Sequence, residues 1–275
     1  MYNTDVFRFD FDVACALFEK WGIAGIKIDF MDSDDQEMVN WYHKVVKTAA
    51  KYHLMVDFHG AYKPTGWRRT YPNLVTREGV LGNEYNKWSL RVTPEHMCTL
   101  PFTRMLAGPM DYTPGGFLNR NPDKFLNGTP ANVLGTRSNT LAQFVVYDSP
   151  YLVACDHPEN YYGEVGEEFL KQVKSVWDDT KVLNGEIGKY ITMARRDENR
   201  WFIGAMNNSD ARQLEISTDF LPEGKYKLIS FSDSEKTTKN AEIAEKKEST
   251  IKNSETIKIK MVPGGGFAAW LDPEK

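Results

Sequence analysis

The chain has 275 residues, 41% of them apolar and 13% aromatic, so it can bury a large core as one large domain or two smaller ones. Its 38 acidic and 34 basic residues give a net charge of -4 and are mixed along the chain, which argues against a nucleic-acid partner. The three cysteines form no Cys-x-x-Cys pair, which argues against a zinc ribbon and a disulfide framework.

No membrane partner is predicted, because no stretch reaches the roughly 18 to 20 apolar residues that span a bilayer. The first residues, Met1 to Asp5, lack a basic segment followed by an apolar one. The cellular compartment is therefore unreadable from this N-terminus.

The first part of the chain alternates short apolar runs with helical patterns. The predicted helices are Asp12 to Trp21, Asp35 to His53 and Thr136 to Tyr147. Ser33 and Gln36 resemble a capping box at the start of the second helix. The predicted strands are Ala24 to Phe30, Leu54 to Phe58, Leu74 to Glu78, Met105 to Asp111 and Pro150 to Cys155. Alternation of this kind is typical of parallel βα units.

Near residue 183 the sequence pattern changes to short predicted strands separated by turn residues. The predicted strands are Tyr190 to Arg195, Trp201 to Met206, Gln213 to Ser217, Tyr226 to Phe231, Thr256 to Met261 and Phe267 to Leu271. These strands predict an antiparallel β-sandwich domain over residues 184–275, after a catalytic βα region over residues 1–183. Ser234 to Lys252 carries both signs of charge and is expected to be a solvated loop.

The five strands of the first region fall short of the eight that close a parallel barrel. Residues 1–183 are therefore predicted to be the C-terminal part of a (β/α)8 TIM-type barrel whose first three strands would precede Met1. An open five-stranded sheet is the competing architecture.

Charged residues end every one of these five strands, and a parallel sheet brings such ends to one rim. They are Asp29, Asp57 with His59, Glu78, Asp111, and Asp156 with His157. Each one alone could equally cap a helix or meet solvent. Glycosidases need two carboxyl groups beside the scissile bond, and Asp29 and Glu84 are the candidate pair. Lys27 shares a strand face with Asp29, where it would either hold a sugar hydroxyl or form a structural ion pair.

Four segments of the chain together resemble glycoside hydrolase family 97. They are Trp21 to Gln36 with its Lys27-Ile28-Asp29 core, His59 to Gly66, Thr76 to Glu84, and Pro101 to Gly115. The resemblance implies an N-terminal β-sandwich, a (β/α)8 barrel and a C-terminal β-domain, with only the latter half matched here. It also implies hydrolysis of terminal α-glycosidic bonds in an oligosaccharide or α-glycoside, in the periplasm or outside the cell.

The family has a retaining, α-galactosidase-like branch and an inverting, α-glucosidase-like branch. The resemblance implies an aspartate nucleophile at Asp29 in the retaining branch, whereas the inverting branch carries a glutamate base directly after the residue matching His59. This chain has Gly60 there, so it resembles the retaining branch, with Asp29 as nucleophile and Glu84 as acid/base. The inverting α-glucosidase stays open as the alternative.

The resemblance further implies a calcium ion bound by Glu78 and Glu84, with another glutamate from an N-terminal region. Among substrate-binding candidates, His59 and Lys63 follow the second predicted strand, and Trp88 could stack on a sugar face. A histidine satisfied by neighbouring backbone and a tryptophan buried in the core are the structural alternatives.

Three rival functions remain. A metal-dependent hydrolase could use His59, His96 or His157, but no spacing brings two imidazoles onto one metal. A carbohydrate-binding module would not require the acids. An inactive truncated chain is the third, because an incomplete barrel exposes apolar edges that self-association or a missing N-terminal domain would cover.

Overall fold

A computed structural model describes residues 10–274, so the prediction made on Met1 to Asp5 lies outside the described residues. The chain mixes helices with strands and is rich in sheet toward its C-terminus. It divides into two compact units. Of the described residues, unit 1 contains 10–80, 104–112 and 148–151, and unit 2 contains 81–103, 113–147 and 152–274. None of the helices within residues 10–274 combines the length and apolar character of a membrane crossing.

The elements are numbered in chain order within the described residues. The α-helices are α1 (Phe11–Lys20), α2 (Gln36–Lys51), α3 (Pro94–Thr99), α4 (Arg137–Val146) and α5 (Glu167–Gln172). The strands are β1 (Gly25–Ile28), β2 (Met55–Phe58), β3 (Leu74–Arg77), β4 (Asn119–Arg120), β5 (Val133–Leu134), β6 (Asp179–Glu186), β7 (Tyr190–Asp197), β8 (Arg200–Asn207), β9 (Arg212–Ser217), β10 (Lys225–Ser232), β11 (Glu245–Lys252), β12 (Thr256–Met261) and β13 (Gly266–Pro273). The 3₁₀ helices are Trp67–Arg69, Asn83–Lys87, Leu100–Phe102, Arg104–Ala107, Pro122–Lys124, Pro158–Asn160 and Glu235–Thr238.

Unit 1 is built on a parallel sheet of β1, β2 and β3, in that order, covered by α1 and α2. The apolar face of α2 is buried against the sheet, including Tyr42, Val45 and Val46. Asp35 caps this helix by accepting a hydrogen bond from the Met38 N–H at 2.8 Å. The predicted capping box is wrong, because the Ser33 hydroxyl instead donates to the Asp35 carboxylate.

The predicted fourth and fifth strands are wrong. Met105 to Asp111 contains a 3₁₀ helix, then Gly108 with a φ of +131° and Pro109, which interrupt an extended run. What remains of pairing there is a parallel bridge between Arg77 and Met110. Residues 150–155 form no strand, and their first residue, Pro150, has no N–H to donate to a ladder.

Unit 2 is dominated by an antiparallel sheet with the order β11-β10-β13-β8-β7-β6. One face packs against the β9–β12 pair around a core that includes Ile216, Ile259 and Leu271. The other face packs against α4, whose residues are all buried. Gly204 on β8 permits this approach, since a Cβ there would lie 2.7 Å from the Ala142 carbonyl oxygen.

The three predicted helices, the first three predicted strands and the six predicted C-terminal strands are confirmed, each within two residues at either end. Four strands of the described residues were missed, namely the two-residue strands β4 and β5 and the longer strands β6 and β11. Strand β6 extends across residue 183, where the sequence pattern of the predicted elements changes. It carries a bulge between Val182 and Asn184, which breaks the alternation of its side chains. The expected loop at Ser234 to Lys252 is wrong over its second part, because Glu245–Lys252 forms β11, which pairs with β10 along its whole length. An edge strand can carry exposed lysines and glutamates, so its charges did not mark a loop.

Candidate functional site

The carboxyl ends of β1, β2 and β3 lie in register, with Ile28 opposite Phe58 and Phe58 opposite Arg77. The residues that follow are Asp29, His59 and Glu78, so the structure places these three side chains along one edge of the unit 1 sheet. Asp29 is half-buried, and its Oδ1 accepts a hydrogen bond from the Phe30 N–H at 2.6 Å. That contact leaves its Oδ2 available to another group.

Asp111 is the centre of a charged cluster at this edge. Its Oδ2 accepts from the Lys27 ammonium at 2.6 Å and lies 2.7 Å from Nδ1 of His59. Burial alone would raise the pKa of Asp111, but the hydrogen bonds from His59 and Lys27 outweigh burial and hold the pKa below its usual value. Asp111 is therefore a buried anion that orients two cationic side chains.

His59 bridges Asp111 to Glu78. Its Nε2 lies 3.3 Å from Oε1 of Glu78, while Oε2 of Glu78 accepts from the Gly60 N–H at 2.7 Å. Burial disfavours a protonated His59, but Asp111 and Glu78 on its two sides raise its pKa to about 9. Burial raises the pKa of Glu78 despite the opposing effect of His59 and of the Gly60 N–H. At neutral pH both ring nitrogens of His59 carry hydrogens and donate to carboxylates.

Asp57 is the second buried acid beside Asp111. Burial, followed by the negative charge of Asp111, raises the pKa of Asp57 to about 8. Lys27 approaches it only to 3.8 Å. Among residues 10–274, neither carboxyl oxygen of Asp57 nor Oδ1 of Asp111 has a hydrogen-bond donor. A proton on Asp57, which lies within hydrogen-bonding reach of Asp111, supplies the missing donor.

Gly60 closes the turn beneath Asp29 with a φ of +58°, in the left-handed region that favours glycine. A Cβ at this position would lie 2.9 Å from the Phe30 nitrogen and 3.2 Å from Oδ1 of Asp29. A larger residue would therefore displace the Asp29 carboxylate or the backbone next to it.

The predicted site residues divide between the two units. Lys27, Asp29, His59 and Glu78 come together in unit 1, where Lys63 is exposed in the loop after β2. The others belong to unit 2. Glu84 lies in the 3₁₀ helix Asn83–Lys87, with an oxygen 3.0 Å from the Lys87 ammonium. Trp88 is 66% exposed, so the alternative of a core tryptophan is wrong at this position.

The described residues of unit 1 form no preformed site for the expected calcium ion. Within the part of the chain that the structure describes, no group of three or more His, Cys, Asp or Glu side chains is arranged to hold a metal ion. Both oxygens of Glu78 already face protein donors, the His59 ring and the Gly60 N–H. The residues of unit 1 therefore do not by themselves fit a cation that takes six to eight oxygen ligands.

Two residues central to this geometry had no role in the sequence-based assignment. Asp57 and Asp111 were recognised only as acids at strand ends, and Asp57 shares a strand face with His59, which was the available signal. Arg104 was not recognised. Its buried guanidinium donates to the carbonyl oxygens of Glu78 at 2.8 Å and of Gly108 at 2.8 Å, among others, and so holds the segment that carries Asp111 beside β3.

Comparison with known proteins gives two family matches. The family model described as "Glycoside hydrolase 97" matches residues 1–80. The model described as "Glycosyl-hydrolase 97 C-terminal, oligomerisation" matches residues 176–272. The first match contains Lys27, Asp29, His59 and Glu78, and the second contains most of the sheet-rich part of unit 2.

Similar curated proteins and solved structures carry the names of glycosidases. A retaining alpha-galactosidase from Bacteroides thetaiotaomicron is 36% identical over 95% of this chain, and a probable retaining alpha-galactosidase from Streptomyces bingchenggensis is 34% identical over 91%. The chain spans 40% and 36% of these two proteins. A glycoside hydrolase family 97 enzyme from Pseudoalteromonas sp. strain K8, solved in complex with panose, superposes with a TM-score of 0.87 at 34% identity, covering 98% of this chain and 45% of that one.

Proposed function

This chain belongs to glycoside hydrolase family 97, and on that premise we propose that it supplies the nucleophile of a retaining glycosidase that cleaves terminal α-galactosidic bonds. The names of the two curated relatives support the sugar and the stereochemistry. The carboxylate edge of unit 1 supports the chemistry, because Asp29 stands there with one oxygen oriented and the other available.

The proposed architecture is the C-terminal part of a (β/α)8 barrel followed by a β-sandwich, with β6 (Asp179–Glu186) as the first strand of the sandwich rather than a division between residues 183 and 184. The parallel order of β1, β2 and β3 and the parallel bridge from Arg77 to Met110 support a barrel. The packing of the β9–β12 pair on the large antiparallel sheet supports a sandwich.

In the proposed reaction, Asp29 attacks the anomeric carbon of the substrate while the bond to the leaving oxygen breaks. Glu84 gives its proton to that oxygen, and a glycosyl ester forms on Asp29. Water then attacks the same carbon, Glu84 takes a proton from the water, and the Asp29 carboxylate is released. The two displacements together retain the anomeric configuration. The carboxyl groups of a retaining pair lie about 5 to 5.5 Å apart, against about 6.5 to 9.5 Å for inversion.

Lys27 is proposed to hold the sugar directly, and His59, whose two ring nitrogens face Asp111 and Glu78, is proposed to support the site from behind. Lys27 is one-third exposed and fixed by Asp111 at 2.6 Å, so its remaining N–H groups can donate to a substrate hydroxyl beside Asp29. Its positive charge also favours the ionised form of a carboxylate on the same strand face. His59 is more deeply buried and holds Glu78 in place. Lys63 and Trp88, both exposed, are proposed as outer contacts to the sugar.

One observation favours a retaining mechanism with Asp29 as nucleophile over an inverting mechanism with a glutamate base at position 60. A Cβ on Gly60 would lie 2.9 Å from the Phe30 nitrogen and 3.2 Å from Oδ1 of Asp29. The backbone there has a φ of +58°, which a glutamate would adopt only with strain. The inverting arrangement with a glutamate at this position therefore conflicts with the geometry around Asp29.

Calcium bound by Glu78 and Glu84 stays a prediction, and no step above passes through a metal. Self-association through unit 2 is proposed because the matched C-terminal family carries oligomerisation in its description. An oligosaccharide or other α-glycoside is the proposed partner, with neither nucleic acid nor membrane. A periplasmic or secreted location is likewise proposed.

The test is hydrolysis of aryl α-galactoside and aryl α-glucoside by the purified chain, with and without calcium. Asp29→Asn should lower kcat by roughly 10⁴-fold or more, since a missing nucleophile removes the covalent step. Asp32→Asn, a change of an exposed acid three residues further on, is the matched control and should leave kcat within about twofold of the wild type. Proton NMR of the first-formed sugar should show the α-anomer. A β-anomer from an α-substrate, or full activity in Asp29→Asn, would refute the assignment.

A further inference from the structure

The large antiparallel sheet of unit 2 ends in two edge strands of different character. Its strand order begins at β11 and finishes at β6, and no strand of the described residues pairs with the outer side of either. Both strands are mostly exposed. An edge strand presents backbone N–H and C=O groups that can pair with another chain, so its side chains determine whether such pairing is favourable.

The edge at β11 is protected by charge. Residues 245–248 read Glu-Lys-Lys-Glu, and the last three of them are exposed. Charged side chains, lysine above all, discourage pairing between the edges of sheets. The separate pair of β9 and β12 also carries charge at exposed positions, among them Glu215 and Lys258. These edges are therefore poor surfaces for association.

The edge at β6 carries apolar side chains instead. Among residues 176–274, the large apolar side chains that lie exposed are Val176, Val182 and Ile187. All three lie on β6 or within three residues of its ends. Single exposed apolar residues scattered over a surface need no explanation, but their confinement to one free edge indicates an interaction surface.

A second copy of this chain complements the β6 edge in charge. Lys181 and Glu186 lie on the same face of the sheet. Their partners on β7, Ala194 and Tyr190, are four residues apart, because the bulge in β6 absorbs one residue. When two β6 strands pair antiparallel about a twofold axis at Asn184, Lys181 of each copy stands opposite Glu186 of the other. One such pairing forms two contacts between opposite charges.

The neighbours of these charges within the chain do not prevent this exchange. The Lys181 ammonium lies 3.2 Å from Oδ2 of Asp179, and Glu186 pairs with Lys189. All four side chains are at least one-third exposed. Exposed ion pairs contribute little to stability, so changing partners costs little.

We propose that two copies of this chain associate through their β6 edges, which pair antiparallel and continue the large sheet from one copy into the other. The inference rests on the self-association through unit 2 proposed above and names its surface. The pairing satisfies the outward backbone groups of β6 and covers Val182 in both copies. Because each β6 meets its own counterpart, the association closes at a dimer.

The test is the dimer Kd of the purified chain, measured by sedimentation equilibrium. Lys181→Glu and Glu186→Lys each set like charges opposite each other twice and should raise the Kd about tenfold or more. The double variant Lys181→Glu/Glu186→Lys restores opposite charges and should return the Kd to within about threefold of the wild type. Val182→Lys should raise the Kd about tenfold or more, since it puts a charge into the pairing edge. Lys247→Glu on β11 is the matched control and should leave the Kd unchanged.

Hydrogen exchange gives a second readout on the unmodified chain. The amides of β6 should gain protection as the protein concentration rises through the dimer Kd, whereas those of β11 should not. Gain of protection at β11 instead of β6 would overturn the proposal.

Two outcomes of the sedimentation experiment would also overturn it. A chain that stays monomeric at every concentration would remove the self-association through unit 2 as well. A dimer whose Kd is the same in the wild type and in both single charge reversals would remove the β6 edge alone. None of these measurements depends on glycosidase activity, so the assignment of Asp29 stands or falls separately.

Discussion

Replacing Asp57 by asparagine should change the pH dependence of the stability of unit 1. Compared with the wild type, the variant should gain stability as the pH rises from 6 to 8. Asparagine has the shape of the neutral acid, and its amide can donate to Asp111 as protonated Asp57 does. The variant therefore keeps the hydrogen bond and loses the titration. A protein that holds Asp57 as an anion would instead be weakened by this change at every pH.

The magnitude follows from the two pKa values of Asp57. Burial raises its folded-state pKa to about 8, whereas the unfolded chain has the ordinary value of 3.8. The folded state thus binds the proton more tightly, so this contribution to stability is complete below pH 3.8 and is lost as pH rises through 8. Each pH unit inside this window costs about 1.4 kcal/mol, which gives about 2 kcal/mol between pH 6 and pH 8 after the curve flattens near the folded pKa.

Hydrogen exchange of the β2 amides, corrected for intrinsic exchange rates, measures the opening free energy of unit 1 itself. The wild type also contains His59, whose raised pKa weakens stability toward pH 9, so the difference between wild type and variant isolates Asp57. Asp34→Asn, at an exposed acid, is the matched control. A parallel pH dependence in wild type and Asp57→Asn would refute the reasoning, as would the lack of any aspartate carboxyl ¹³C signal that titrates near pH 8.

Three further substitutions probe the framework. Arg104→Lys should destabilise unit 1 by about 3 kcal/mol or more in the same exchange experiment, because one ammonium cannot satisfy the several buried carbonyl oxygens that the guanidinium reaches; unchanged protection of β3 would contradict this. Gly265→Ala places a methyl group 2.0 Å from Oδ2 of Asp233, which accepts from two backbone N–H groups, and should lower the free energy of unfolding of unit 2 by about 3 kcal/mol. Gly224→Ala, whose methyl group meets no atom within 4 Å, should cost less in denaturant unfolding despite its backbone strain, and a larger loss there would count against the steric argument.

Local patterns determined most elements of this chain. Period-3.6 spacing identified α2, and short apolar runs identified β1 to β3, because these segments bury one regular face. The carboxylate Asp29 at the end of β1 could also be located from sequence, since a strand end is a local property. Where the local pattern predicted the wrong element, pairing with neighbouring elements determined the structure. Strand β11 has charges typical of a loop, and only its pairing with β10 makes it a strand.

Tertiary structure alone decided how the acids of the site behave. Asp57 and Asp111 lie 54 positions apart in the sequence and look alike there, as acids at strand ends. In the fold, Lys27 and His59 both reach Asp111 and keep it charged, while burial beside that charge keeps Asp57 protonated. A pKa depends on burial and on charges within a few ångströms, neither of which a linear pattern contains. The sequence by itself therefore determined which acids reach the edge of the sheet, and only the fold decided which of them hold a proton.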